Sequence, residues 1–243
     1  MKLTVIGYWG GYPAANEATS AYLLEKDDFA LLIDVGSGSL SKVQNYKHVM
    51  ELDAVVLSHY HHDHVADIGV LQFAWLVQSY LREEQEILPI YGHAEDKEGF
   101  QSLTHTCTEG IAYDPENGLT IGPFHFTFLK TKHPVVCYGM RITDEEKVLV
   151  YTADTAFSEK WSDFAKGADL LITDCNFYAD QNGKDAGHMT SKEGAAIAQQ
   201  ANVATLILSH LPQYGDLSQL VDEAASVFTG EILLAKEGLT WGE

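Results

Sequence analysis

Between Ser58 and Val65 the chain reads "SHYHHDHV", with four histidines and an aspartate from His59 to His64. Imidazole nitrogens and carboxylate oxygens are the donors that Zn²⁺ and Mn²⁺ accept. The cluster follows "LDAVVLS", Leu52–Ser58, a short apolar run of the kind that forms a strand buried on both faces. Side chains alternate along an extended chain, so His59 and His61 can converge on one point. Asp63 and His64 come one step later, where the chain turns toward a helix, and can reach a second point. One loop cannot complete two metal sites. Three further donors each end an apolar run: His133 after "FHFTFLKTK", Asp154 after "KVLVYTA" and His210 after "TLILS". A single histidine after a strand is more often structural. The repetition of strand then donor is what a site at one edge of packed sheets requires.

The elements that must position these donors can be read from the same runs. "KLTVIGY" reads as a strand, and "AYLLEKDDFALLIDVGSG" as two strands turning at Asp27-Asp28. Residues from about Asp67 to Glu84 read as a helix, with Leu71, Trp75, Gln78 and Leu81 at near-helical spacing. On that helix Trp75 and Tyr80 are expected to pack in the core. "ILPIYG" is a short strand and Ala94–Leu103 a helix. The middle is strand-like in "LTIGPFHFTFLKTKHP", "VVCYGMRI" and "KVLVYTAD". A helix is expected near Ser158–Ala165, a buried strand in "DLLITDC", and a capped helix from about Ser191 to Ala201. Thr190 or Ser191 is its N-cap candidate, with Glu193 or Gly194 in the first turn. "TLILS", a helix over roughly Leu217–Phe228, and "EILLA" close the chain. Strands mixed with helices in both halves imply an α+β fold of two mixed sheets with helices outside. No linker, repeat or low-complexity segment interrupts residues 1–243, so a single domain is expected.

Composition narrows the partners. The formal net charge is −20, with 15 Lys+Arg against 35 Asp+Glu, and the only arginines are Arg82 and Arg141. That field repels polyanions, and affinity for nucleic acid comes mostly from Lys and Arg on phosphates. A long nucleic acid is disfavoured. Cys107, Cys137 and Cys175 are scattered, without a Cys-x-x-Cys pair, as suits a reducing compartment. The N-terminal apolar run stops at Gly7, too short for a signal peptide. A soluble cytoplasmic protein with no membrane span is expected.

The motifs together resemble the metallo-β-lactamase-fold hydrolases. The likeness runs from "GYPAANEATSAYLL" and "ALLIDVGSG" through "SHYHHDH", His133, "YTADT" and "LILSHL", nearly the whole chain and in family order. Within that superfamily "GHMTSKEGAAIAQQA" and "YTADT" resemble the ribonuclease Z-like phosphodiesterase branch. The resemblance implies a four-layer αββα sandwich and two divalent metal ions per chain. Zn²⁺ is the first candidate, and Mn²⁺ or Fe suits the same donors. His59, His61 and His133 would hold one metal. Asp63, His64 and His210 would hold the other, and Asp154 would bridge them. His62 has no counterpart as a ligand and would alternate away from His61. Asp34 would steady the histidine loop by hydrogen bonds; ending a turn is the equally plain alternative. A hydroxide between the metals would attack phosphorus, with Asp63 also orienting it. His188 would then protonate the leaving alkoxide. In that branch a glutamate supports this histidine. Here the position is Asp174, one methylene shorter, so that pairing calls for a small backbone shift or a water.

Three departures bear on the substrate. "GGYPAANEAT" lacks the basic residues with which the branch grips RNA. About twenty residues separate His133 from Asp154, with no room for a long tRNA-binding arm. Gln213 stands where the branch has an arginine. With the negative charge, these point to a small phosphodiester such as a cyclic nucleotide or a 2′,3′-cyclic phosphate. The alternatives are a tRNA 3′-processing endoribonuclease, a lactone or thioester hydrolase of the same fold, and a non-catalytic metal-binding module. Lys130 and Lys132 read as solvated rather than catalytic. The resemblance also suggests a homodimer.

Overall fold

A computed structural model describes residues 1–83 and 86–243. In chain order the strands are β1 (Lys2–Gly7), β2 (Ala21–Lys26), β3 (Phe29–Ile33), β4 (Ala54–Val56), β5 (Leu88–Gly92), β6 (Thr108–Ala112), β7 (Leu119–Ile121), β8 (Phe124–Lys130), β9 (Tyr138–Thr143), β10 (Val148–Tyr151), β11 (Leu170–Asp174), β12 (Thr205–Ser209), β13 (Glu231–Leu234) and β14 (Thr240–Gly242). The helices are α1 (Ser39–Val43), α2 (His62–Val65), α3 (Ile68–Arg82), α4 (Lys97–Gln101), α5 (Lys160–Phe164), α6 (Ser191–Ala201) and α7 (Leu217–Ala225). They fall into two compact units. One comprises Met1–Asp114 with Lys236–Glu243, the other Pro115–Ala235.

The first unit holds a seven-stranded sheet in the order β14-β1-β2-β3-β4-β5-β6. Its first three pairings are antiparallel, and β3-β4, β4-β5 and β5-β6 are parallel. β2 and β3 form a hairpin in which Asp27, at φ 53°, takes the left-handed turn position. β4 is buried at every residue, as its uninterrupted apolar sequence requires. Leu23, Leu32, Val55, Leu57, Leu71, Trp75 and Ile90 belong to one core cluster. The second unit holds β13-β12-β11-β10-β9-β8-β7. It repeats the same succession: β7-β8, β8-β9 and β9-β10 are antiparallel, and the remaining three pairings are parallel. The amino-acid sequence carries no matching repeat. β11 and β12 are buried throughout, and Phe124, Phe126, Met140, Leu171 and Trp161 are wholly enclosed.

Two sequence expectations need correction, and two elements were not anticipated. "EILLA" does not close the chain, because β14 follows and pairs with β1. β6 and α1 were not marked by any apolar run. Tyr80 does not pack in the core: it is 83% exposed, while Trp75 on the same helix is buried. The inward stripe of α3 is Ile68, Leu71, Gln72, Trp75 and Ser79, so Leu81 also faces out. The expected end of this helix near Glu84 lies outside the described residues; α3 ends at Arg82. Among the described residues, no helix is long and apolar enough to cross a membrane.

Candidate metal and acid-base site

Apart from His133, which follows the antiparallel strand β8, every candidate donor stands beyond the carboxyl end of a strand in the parallel half of its sheet, or in the loop that follows one. Open sheets flanked by helices bind ligands at that edge. In the first unit β3 leads to Asp34 and β4 to the "SHYHHDH" loop. Asp34 is fully buried and has φ 56°, an uncommon backbone state for a non-glycine residue. Its Oδ1 accepts the Ser58 amide at 2.8 Å. Its Oδ2 accepts the Ser58 hydroxyl and lies 2.8 Å from His64 Nδ1. Ser58 Oγ is itself 3.0 Å from His59 Nδ1.

This chain of contacts fixes two tautomers. A carboxylate only accepts, so His64 Nδ1 carries the proton it gives to Asp34. The Ser58 hydroxyl proton is already given to Asp34, so Ser58 Oγ accepts from His59 Nδ1–H. Both rings therefore present Nε2 with its lone pair. That is the arrangement of metal-binding histidines whose other nitrogen is held by an acceptor. His59 rings approach those of His61 and His64 with centroids 4.9 Å and 4.2 Å apart. Asp63 Oδ2 stands 3.7 Å from His64 Nε2 and accepts the Gly11 amide at 2.7 Å. Two backbone bonds, Val35 N to His64 O and Asp67 N to Val35 O, latch the β3 loop to the histidine loop. The loops lie so close that a Cβ on Gly36 would sit 2.2 Å from the Asp63 carbonyl oxygen. His61 caps α2, and His62 points outward, exposed.

In the second unit, β10 leads to Asp154, β11 ends in Asp174, and His210 follows β12. Ala153 and His210 have φ 51° and 53°, so left-handed backbone recurs at these strand ends. Asp154 is 1% exposed, and its two oxygens serve different histidines. Oδ2 is 3.8 Å from His133 Nε2, and Oδ1 is 3.4 Å from His210 Nε2. A carboxylate so placed can bridge two cations. His133 Nδ1 lies 3.1 Å from the Gly187 carbonyl oxygen, which only accepts, so this ring too offers Nε2. The donor chemistry on each unit thus fits divalent metal ligation.

The acid-base pair is direct. His188 Nδ1 meets Asp174 Oδ2 at 2.7 Å. The missing methylene needs neither a backbone shift nor a water. Asp174 Oδ2 also accepts the Thr155 amide, and Oδ1 accepts that of Asn176. The His188 ring stacks on His210 with centroids 5.0 Å apart and meets His133 edge-on at 5.3 Å. Donor atoms of Asp154, Asp174, His188 and His210 all lie within 4.8 Å of one another. Burial works to lower the His188 pKa, but the Asp174 charge and hydrogen bond outweigh it, with a smaller contribution from Asp154, and raise it. Burial likewise pushes Asp174 up, yet the His188 and His210 contacts bring it below the ordinary carboxylate value.

Sequence reasoning missed Ser58, the Gly11 amide and the Gly187 carbonyl. The last two act through backbone, which carries no residue-type signal. Lys130 and Lys132 are exposed, as expected; Lys130 lies over the Tyr138 ring, and Lys132 Nζ reaches the Phe157 carbonyl oxygen.

Comparison with known proteins follows the same lines. Residues 31–211 match the Beta-lactamase superfamily domain. The chain is 57% identical to the "Probable metallo-hydrolase YhfI" of Bacillus subtilis, over 99% of each chain. The crystal structure of that metallo-β-lactamase fold protein superposes with a TM-score of 0.98 at 55% identity, covering 99% of this chain and 98% of that one. Ribonuclease Z of Haloarcula marismortui is 26% identical, over 98% of this chain and 96% of its own. Human tRNase Z, short form, shares the fold at a TM-score of 0.78 and 18% identity, over 100% of this chain and 99% of that one. The chain belongs to the β-lactamase superfamily and is a metal-dependent hydrolase with the metallo-β-lactamase fold.

Proposed function

We propose that the protein is a binuclear phosphodiesterase acting on a small phosphodiester, such as a cyclic nucleotide or a 2′,3′-cyclic phosphate. The observation that carries this reading is the buried His188–Asp174 pair beside His210 and Asp154. A thioester expels a thiolate, which leaves without a proton donor of this kind, whereas a phosphodiester expels an alkoxide that His188 can protonate. In the proposal both ligand sets serve one pair of ions, Zn²⁺ in the first instance. His59, His61 and His133 would hold one, Asp63, His64 and His210 would hold the other, and Asp154 would serve both. Two such ions would supply a nucleophile from water at neutral pH and neutralise the phosphate oxygens. The chain's own residues do the rest. Asp63, held by the Gly11 amide, orients the attacking water. His188 donates from Nε2, because its Nδ1 proton is engaged with Asp174.

The ribonuclease Z likeness favours a second reading, tRNA 3′-end processing. Against it stand the net charge of −20 and the course of the chain between His133 and Asp154. That stretch is the β9-β10 hairpin, turning at Asp144–Lys147, with no inserted arm. The test is one assay series on metal-replete protein. It offers bis-p-nitrophenyl phosphate, 2′,3′- and 3′,5′-cyclic nucleotides, precursor tRNA, a lactone and a thioester. Small phosphodiesters should turn over, and His188→Ala should lose on the order of 10²-fold in kcat while keeping its metals. Turnover of the lactone or thioester alone would show the reading to be wrong.

The same proposal makes the protein cytoplasmic and homodimeric. α3 exposes Val70, Phe73, Val77 and Tyr80 at helical spacing, with no charged residue between Asp67 and Arg82. On a chain of charge −20, an uncharged apolar face is where a second copy meets least repulsion. Phe73→Lys should shift the mass measured by light scattering from dimer to monomer; a wild-type monomer would refute the contact.

A further inference from the structure

His188 belongs to a loop between β11 and α6, and both ends of that loop meet one carboxylate on α7. Glu223 Oε2 accepts the Ala179 amide at 2.9 Å and the Ser191 hydroxyl at 2.5 Å. Its Oε1 accepts Gln219 Nε2 at 2.8 Å, one turn back on the helix. Within the loop the chain is a succession of short-range contacts: Gln181 N to Tyr178 O, Gly187 N to Lys184 O, and His188 N to Gly183 O. Outside these turns, Tyr178 Oη donates to the Tyr214 carbonyl oxygen at 2.8 Å and Tyr214 Oη donates to Gln181 Oε1 at 3.0 Å, which tie the first part of the loop to the segment after β12. A bridge between Phe177 and Thr190 closes its neck. Glu223 fixes that neck to α7.

We propose that Glu223 is a positioning residue for the candidate acid. By holding Ala179 and Ser191 on a single oxygen, it sets where the His188 ring stands relative to Asp174. A charged acceptor makes this hold stronger than a neutral one would. Burial works against the Glu223 charge, but the Ser191, Gln219 and Ala179 hydrogen bonds keep its pKa below the usual glutamate value. The carboxylate is therefore ionised at neutral pH. The loop it holds also supplies the Gly187 carbonyl that fixes the His133 tautomer. A displacement of about 1 Å in an acid or its support is enough to cost up to 10²-fold in rate.

The inference rests on the phosphodiesterase reading for its turnover arm alone, and two measurements separate them. The first is hydrogen–deuterium exchange of residues 180–190 in wild type and Glu223→Ala. Exchange there should rise about ten-fold or more, while the β11 and β12 amides keep their protection. The second is turnover of a 2′,3′-cyclic nucleotide, at matched metal content, by wild type, Glu223→Ala, His188→Ala and the double variant. Glu223→Ala should lose about ten- to hundred-fold in kcat with little change in KM. Added to His188→Ala it should cost almost nothing more, since both act through one ring. Unchanged loop exchange overturns the inference. So does a full extra loss in the double variant, which would place the action of Glu223 elsewhere. Should His188→Ala prove as active as wild type, the acid assignment fails, and loop exchange alone then decides for or against Glu223. If Glu223→Ala does not fold, Glu223→Gln, which keeps one acceptor oxygen, carries the same measurements.

Discussion

Two buried aspartates organise the histidines around them. Asp34 holds Ser58 and His64, and through Ser58 it turns His59. Asp174 holds His188 and stands 3.7 Å from His210 Nδ1. Their effects differ because only His188 must change protonation in the proposed reaction. A general acid works while protonated, so kcat should fall as pH rises through the His188 pKa. Asp174 raises that pKa despite burial. Asp174→Asn keeps an oxygen for Nδ1 but removes the charge. The descending limb of the kcat–pH profile should therefore move to lower pH, which a profile on bis-p-nitrophenyl phosphate would read. A limb that stayed in place would assign it to another group. The candidate donors were legible in the sequence because their types are rare at the ends of apolar runs. Ser58 was not, because a serine before a histidine says nothing until Asp34 is seen to take its proton.

Elements were legible where apolar runs were long or capped. α6 spans Ser191–Ala201 as expected, with Thr190 as N-cap. Thr190 Oγ1 accepts the Glu193 amide, and Glu193 Oε2 accepts the Thr190 amide at 2.9 Å, so two donors at the helix start that lack an intrahelical partner are satisfied. Thr190→Ala should cost about 1 kcal/mol in urea denaturation. Because the cap lies two residues from His188, turnover should fall as well; a loss of stability with turnover intact would uncouple the loop from the helix start. β6 and β14 escaped sequence reading for a physical reason. "TEGIA" carries Glu109 and Gly110, and "TWG" is three residues long, so neither has an apolar pattern. Their strand character comes from the partners they pair with, β5 and β1. Tyr80 failed differently: α3 is apolar on both its faces, and periodicity cannot say which face is inward.

At the scale of the whole molecule, the charge of −20 opposes the approach of the proposed substrates, since every phosphodiester is an anion. The opposition is strongest at low ionic strength. The screening length is about 30 Å at 0.01 M salt and about 8 Å at 0.15 M, so ordinary salt removes most of the long-range field. Metal ions at the site would attract the phosphate locally, over distances that salt screens far less. Between these two limits kcat/KM for a cyclic nucleotide should rise with ionic strength, while kcat, which reports the bound complex, should stay nearly constant. Most enzymes that grip nucleic acid show the reverse, because salt weakens Lys and Arg contacts with the backbone. The measurement is kcat/KM in sodium chloride at fixed pH and fixed metal. A fall with rising salt would reveal a local basic surface, of the kind a polyanion needs, and would favour RNA over a small phosphodiester.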